Sequence, residues 1–254
     1  MMAKSPKLYA LAGLLTSAAI LSAVAAPIIG TNESFTVGSQ GWVSQNPGGP
    51  GAGAIGVNQQ GSGGNPGAYL RMTFGTQLIG LGQNAQFVAN SGSSQGAYVG
   101  NYLAGYGNAL YVTFDLLAEN FLPSSMALYF HSSVSGNTWA YNLAAPGSLG
   151  VWTGYQVSFA SGLAVPGGWQ FAGGPGGTPS QFIADLGNVD WIGIYISRFG
   201  STLEEDYGLD NFLLHVPEPG TLYVLSAVLL SLCMTFRGYL SAVGSKIREL
   251  TSRA

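Results

Sequence analysis

Two histidines, scattered carboxylates and a set of large aromatic rings are the groups in this 254-residue chain that could carry chemistry. His131 precedes Ser132 and Ser133, but adjacency in sequence is not the geometry that a general base and its nucleophile require. His215 has no acid or cysteine cluster beside it. Asp115, Glu119, Asp185 and Asp190 would serve a glycosidase only as two carboxylates facing across a cleft, and their spacing selects no pair. Zinc hydrolysis would want a His-rich ligand set that the chain lacks. Gly51-Ala52-Gly53-Ala54-Ile55-Gly56 fits the dinucleotide-binding pattern letter by letter, yet that pattern has meaning only between a buried strand and a helix. Here Pro47 and Pro50 precede it and more glycines follow. No lysine occurs between Lys7 and Lys246, which excludes a Walker-type phosphate loop. Glu204-Glu205-Asp206 reads as a solvated acidic run in a turn. Aromatics are the better hint. Trp42, Trp139, Tyr141, Trp152 and Trp169 fall near turns or strand ends, where an exposed ring stacks on a sugar face, although large rings also fill cores. Trp42, Trp139 and Tyr141 are the candidates for glycan stacking, and no catalytic set emerges.

The elements that would position these residues are short strands. In Asn108 to Ala118, Leu110, Val112, Phe114 and Leu116 alternate with Tyr111, Thr113 and Asp115, the period of a half-buried strand. Ser125 to Ser133 repeats the pattern, with Met126, Leu128 and Phe130 set against Ala127, Tyr129 and His131. Further strand-like segments are Glu33 to Val37, Tyr69 to Phe74, Thr138 to Leu143, Tyr155 to Ala160, Trp169 to Ala172, Val189 to Arg198 and Leu209 to Val216. Asn46 to Gly67 is rich in Gly, Pro, Asn and Gln and reads as irregular backbone. One piece, Ser180 to Leu186, reads as a helix capped by Ser180. Many short strands with Gly and Pro turns predict an all-β sandwich, and spacers too long for hairpins predict the crossing connections of a jelly roll.

Both ends are apolar. Lys4 and Lys7 lead into the apolar segment Leu8 to Val24, and Ala23-Val24-Ala25-Ala26 follows, the layout of a secretory signal peptide. Cleavage after Ala25 is preferred, because a cut after Ala26 would put Pro27 first beyond it. From Thr221 to Phe236 there is no charge, then come Arg237 and a basic tail with Lys246, Arg248 and Arg253. A helix over 220–240 would cross a bilayer with the tail on the cytoplasmic side, leaving everything before Pro217 outside. The domains are therefore 1–25, a signal peptide; 28–215, an extracellular sandwich; and 216–254, a C-terminal segment with a transmembrane helix and basic tail. Between the apolar ends stand two basic residues, Arg71 and Arg198, against nine acids from Glu33 to Asp210. No basic face exists to neutralise phosphates, which excludes nucleic acid. Cys233 lies inside the apolar run, so the exported domain forms no disulfide.

Pro217-Glu218-Pro219 directly before an apolar helix and a basic end resembles the PEP-CTERM sorting signal. The resemblance implies a Gram-negative bacterium that makes exopolysaccharide, with an exosortase-type membrane protease as partner and Pro217, Glu218, Pro219 and Arg237 as the signal residues. It departs from the family in that Arg237 stands apart from the other basic residues rather than in a tight cluster. Glu33-Ser34-Phe35 leading to Gly41-Trp42, Gly64-Asn65-Pro66-Gly67, Tyr98-Val99-Gly100-Asn101 and Gly208-Leu209-Asp210-Asn211-Phe212 resemble the galactose-binding-like jelly roll, including its laminin-B-like versions. In such domains a calcium ion commonly ties the N-terminal loop to the end of the chain, and the resemblance carries this to Glu33 and Asp210. The expectation is an exported, non-enzymatic structural or interaction protein of the outer envelope or extracellular matrix, released by signal peptidase, sorted by an exosortase and linked to exopolysaccharide. A glycan-binding module is the alternative, and an extracellular hydrolase the third reading.

Overall fold

A computed structural model of the chain describes residues 25–45, 56–75, 84–104, 110–160, 168–173, 177–198 and 203–216. The signal segment up to residue 24, the sorting residues Pro217, Glu218, Pro219 and Arg237, and the helix expected over 220–240 lie outside the described residues. Among the described residues no helix is long and apolar enough to cross a membrane.

The fold is an all-β sandwich of two antiparallel sheets, consistent with a jelly roll. In chain order its strands are β1 (Asn32–Glu33), β2 (Val43–Gln45), β3 (Gly56–Gly64), β4 (Gly67–Phe74), β5 (Asn84–Asn90), β6 (Tyr111–Ala118), β7 (Ser125–Ser132), β8 (Thr138–Leu143), β9 (Thr153–Ser158), β10 (Gln170–Phe171), β11 (Val189–Ser197) and β12 (Glu205–His215). The first sheet runs β3-β4-β12-β6-β9, with β1 also paired to β12. The second runs β10-β8-β7-β11-β5-β2.

Alternation decides the core. Val112, Phe114 and Leu116 on β6, Met126, Leu128 and Phe130 on β7, and Ile192, Ile194 and Ile196 on β11 all turn inward and are buried. Their odd-numbered neighbours on β6 and β7 and the intervening residues of β11 face outward, as the period of a strand requires. Aromatic clusters complete the core. Trp42 packs edge-on against Phe35, Tyr98 and Phe212, and Phe130 meets Trp169 and Phe182.

Three expectations about local structure change. Asn46 to Gly67 is not irregular throughout: β3 occupies Gly56–Gly64 and pairs with β4 from Gly56 opposite Thr73 to Gly64 opposite Gly67. Backbone pairing at a sheet edge holds it, with little apolar burial of its own. The helix spans Pro179–Leu186, and its cap is Thr178 rather than Ser180. Thr178 accepts the Gln181 N–H while the Gln181 side chain accepts the Thr178 N–H, a reciprocal capping box. The acidic run is not simply solvated. Glu205 and Asp206 begin β12 and are buried, because Arg198 binds Glu205 and Arg71 binds Asp206.

Candidate functional site

The outward face of the second sheet gathers aromatic rings. On β11, between β7 and β5, the apolar phase points to the core, so Trp191, Gly193 and Tyr195 occupy the opposite phase. On β7 the same phase presents Ala127, Tyr129 and His131. In register Trp191 stands opposite His131, Gly193 opposite Tyr129, and Tyr195 opposite Ala127. The Trp191 and His131 rings stack with centroids 5.5 Å apart and planes at 3°. Tyr129 and Tyr195 stack diagonally at 5.1 Å and 6°. All four residues are half-buried. Gly193 sits between the two pairs. A Cβ there would lie 2.4 Å from the Phe87 carbonyl oxygen, so the middle of the face stays without a side chain.

Polar groups surround the rings. His131 Nδ1 and Asp190 Oδ1 are 2.6 Å apart. Asn84, Gln86 and Asn90 come from β5 and Thr138 from β8. Beside the tyrosine pair lies a depression of about 380 Å³ lined by Asn84, Tyr195, Tyr129, Thr138 and Phe171, one residue from each of five strands. A second, of about 790 Å³, adjoins Trp191, Asp190, Asn90 and Gln45 at the other end of the same face. Burial pushes the hydroxyls of Tyr129 and Tyr195 up, with Tyr195 adding to the effect on Tyr129, so both remain neutral donors near neutral pH. Flat rings flanked by amides and hydroxyls suit a ligand that is apolar on its faces and hydroxylated on its edges.

The rings singled out from the sequence lie elsewhere. Trp42 and Trp139 are not a binding platform: they are 2% and 0% exposed. Trp139 follows the inward phase of β8, packs on Phe171 and Phe182, and donates its indole N–H to Asp185 at 2.8 Å. Tyr141, on the same phase, is half-buried and meets Trp169 edge-on at 5.7 Å. The signal for this aromatic face was present in the sequence, since Tyr129, His131, Trp191 and Tyr195 are aromatics at the non-apolar phase of alternating strands.

The ionisable candidates are tied into the fold. Asp115 and Glu119 sit on the first sheet's outer side, while Asp185 and Asp190 belong with the second sheet, so the four do not converge. Asp115 accepts from the Asn65 and Asn211 amides, and Glu119 accepts from the Tyr69 hydroxyl and pairs in charge with Arg71. Burial would raise the Asp185 pKa, but hydrogen bonds from Ser135, Asn137 and Trp139 outweigh it and hold the carboxyl below the usual range. Ser132 is buried on the other side of its strand from His131.

Glu33 and Asp210 have separate partners. Asp210 accepts the N–H groups of Asn65 and Asn211 at 2.6 and 2.8 Å. Burial pushes its pKa up, against those two bonds and with a contribution from Asp115. Glu33 accepts the Ser94 hydroxyl on Oε1, while its Oε2 is buried without a hydrogen-bond partner, as is the Gln40 Oε1. Ser94 also donates its N–H to the Gln40 carbonyl, which joins the two loops. Burial raises Glu33 from 4.5 to about 7, with the neighbouring Tyr98 hydroxyl acting in the opposite direction. Unpartnered carboxylate and amide oxygens are ligands of the kind a hard cation takes, whereas each Asp210 oxygen accepts one backbone N–H. Among the described residues no three His, Cys, Asp or Glu side chains form a metal-holding group.

No protein-family profile matches the chain, and no curated protein matches its sequence. Solved structures do resemble its fold. A family 11 carbohydrate-binding module from Clostridium thermocellum, in complex with a β-1,3-1,4-mixed-linked tetrasaccharide, is 14% identical with a TM-score of 0.46, covering 73% of this chain and 94% of that one. A family 30 module of a cellulosomal cellulase of Clostridium thermocellum is 10% identical with a TM-score of 0.44, covering 77% and 98%. A structure described as carbohydrate-binding modules of the β-sandwich superfamily is 12% identical with a TM-score of 0.48, covering 75% and 63%.

Proposed function

We propose that the sandwich is a glycan-binding module that works outside the cell, with the outward face of its second sheet as the binding surface. The observation that carries this reading is the pair of stacked ring sets, Trp191 with His131 and Tyr129 with Tyr195, on a face flanked by Asn84, Asn90 and Thr138. Sugar C–H faces stack on such rings while the hydroxyls bond the neighbouring amides, and the rings lose little rotamer freedom on binding. The test is a glycan array probed with the wild type and with the Tyr129→Ala/Tyr195→Ala double variant. Loss of at least about tenfold in affinity, about 1.4 kcal/mol, is expected for whichever glycan the wild type binds. Equal binding by both proteins rejects this surface.

Delivery belongs to the same proposal. Signal peptidase cuts after Ala25, and an exosortase-type protease reads Pro217-Glu218-Pro219 with Arg237, so that the module reaches the outer envelope and its exopolysaccharide. The support is the resemblance in the sequence. Intact mass of the protein from its native envelope tests it: a mass equal to the uncut chain rejects both cleavages. A structural calcium ion belongs at Glu33 in this reading, supported by the unpartnered oxygens of Glu33 and Gln40.

A further inference from the structure

Charge around the tyrosine groove narrows the ligand, given the glycan-binding reading on which this inference rests. Between Leu8 and Phe236 the chain contains two residues of fixed positive charge, Arg71 and Arg198. Both are committed elsewhere. Arg71 belongs to β4 in the other sheet and pairs with Glu119 at 3.1 Å and Asp206 at 2.5 Å. Arg198 is 4% exposed and binds Glu205 and the Gly75 carbonyl.

The groups on or beside the face lean negative. His131 is matched by Asp190. Asp185, kept ionised by Ser135, Asn137 and Trp139, stands behind the wall that Gly136 and Thr138 supply to the groove. The hydroxyls of Tyr129 and Tyr195 are neutral. A polymer carrying carboxylates or sulfates would give up water around its charges and meet no uncommitted cation among the described residues in return. An uncharged sugar gives up much less. Its hydroxyls meet the Asn84 amide and the Thr138 hydroxyl, which line the groove.

We infer that this groove takes an uncharged polysaccharide laid across strands β5, β11, β7, β8 and β10, and that it excludes anionic polysaccharides. Crossing five strands at about 4.8 Å per step gives the groove a length of about 19 Å, room for several sugar rings in line.

Native affinity electrophoresis of the full chain in a neutral detergent tests this, in gels holding neutral glucans, mannans or xyloglucan, or else polygalacturonate or dextran sulfate. Retention by at least one neutral polymer is expected, changing less than about twofold between low and high salt, with none by the anionic polymers. Thr138→Lys, which places a cation in the groove, is expected to gain salt-sensitive retention by polygalacturonate. Retention of the wild type by the anionic polymers alone overturns the exclusion while leaving glycan binding intact. Retention by neither class overturns glycan binding itself. Neutral retention with no gain in Thr138→Lys overturns the assignment to this groove.

Discussion

Trp139 and Trp191 should separate stability from binding. Trp139 is fully buried, packs on Phe171 and Phe182, and gives Asp185 one of its three side-chain hydrogen bonds. Replacing a buried Trp with Ala costs about 3–5 kcal/mol through lost burial and the cavity left behind. Removing a donor from an ionised, buried carboxylate adds about 1.5–3 kcal/mol, and partial collapse of the site offsets some of the sum, so Trp139→Ala should lose about 4–6 kcal/mol. Trp191 is half-buried on the outer face, and Trp191→Ala should stay within about 1 kcal/mol of wild type in stability while glycan affinity falls at least about tenfold. Urea denaturation followed by fluorescence reads the first quantity, and retention on a bound glycan the second. The two effects also differ in their pH dependence. Asp185 titrates below its ordinary 3.8 in the folded state, so its contribution is present above 3.8 and is lost as pH falls through the folded value. Trp139→Ala weakens that depression, and its deficit relative to wild type should narrow in acid. A stable Trp139→Ala protein that no longer binds glycan would refute the assignment of the two tryptophans.

Arg198→Ala should cost about 3–5 kcal/mol in thermal or urea unfolding, because it leaves Glu205 charged at 0% exposure; an unchanged midpoint would show that the pair contributes nothing. Glu33 predicts the opposite pH trend from Asp185. In chelator, with its pKa raised in the folded state, its contribution is complete below 4.5 and is lost as pH rises toward 7, a decline of up to about 3 kcal/mol that Glu33→Gln should abolish. Saturating calcium should reverse that decline and raise the melting temperature of the wild type but not of Glu33→Gln; no calcium-dependent gain in the wild type removes the metal.

Alternation along single strands was enough to read most of the sandwich. The inward phases of β6 and β7 came directly from Val112, Phe114 and Leu116, and from Met126, Leu128 and Phe130, because a two-residue period assigns each side chain to a face without knowledge of its partners. Three strands escaped that logic, the shortest being Val43–Gln45, three residues held by their ladder to β5. Gly56–Gly64 carries almost no apolar side chain and exists through its ladder to β4, while Asn84–Asn90 places Ala85 and Ala89 inward beside Phe87, a weak apolar signal until β11 lies against it.

Residue order by itself thus settled the class of fold, the acidic balance and the inward residues of the strongest strands, since these follow from local periodicity and composition. The aromatic outer face proposed for binding waited on the tertiary structure. Trp42 and Trp139 have the same ring as Trp191, and only the packing of one sheet on the other buries the first two while leaving the third beside His131 on the outside. Glu205 and Asp206 likewise look solvated until β12 brings them to Arg198 and to Arg71 on a strand more than a hundred residues earlier in the chain. Burial and charge pairing depend on what covers a side chain, and that is decided by contacts between segments far apart in sequence.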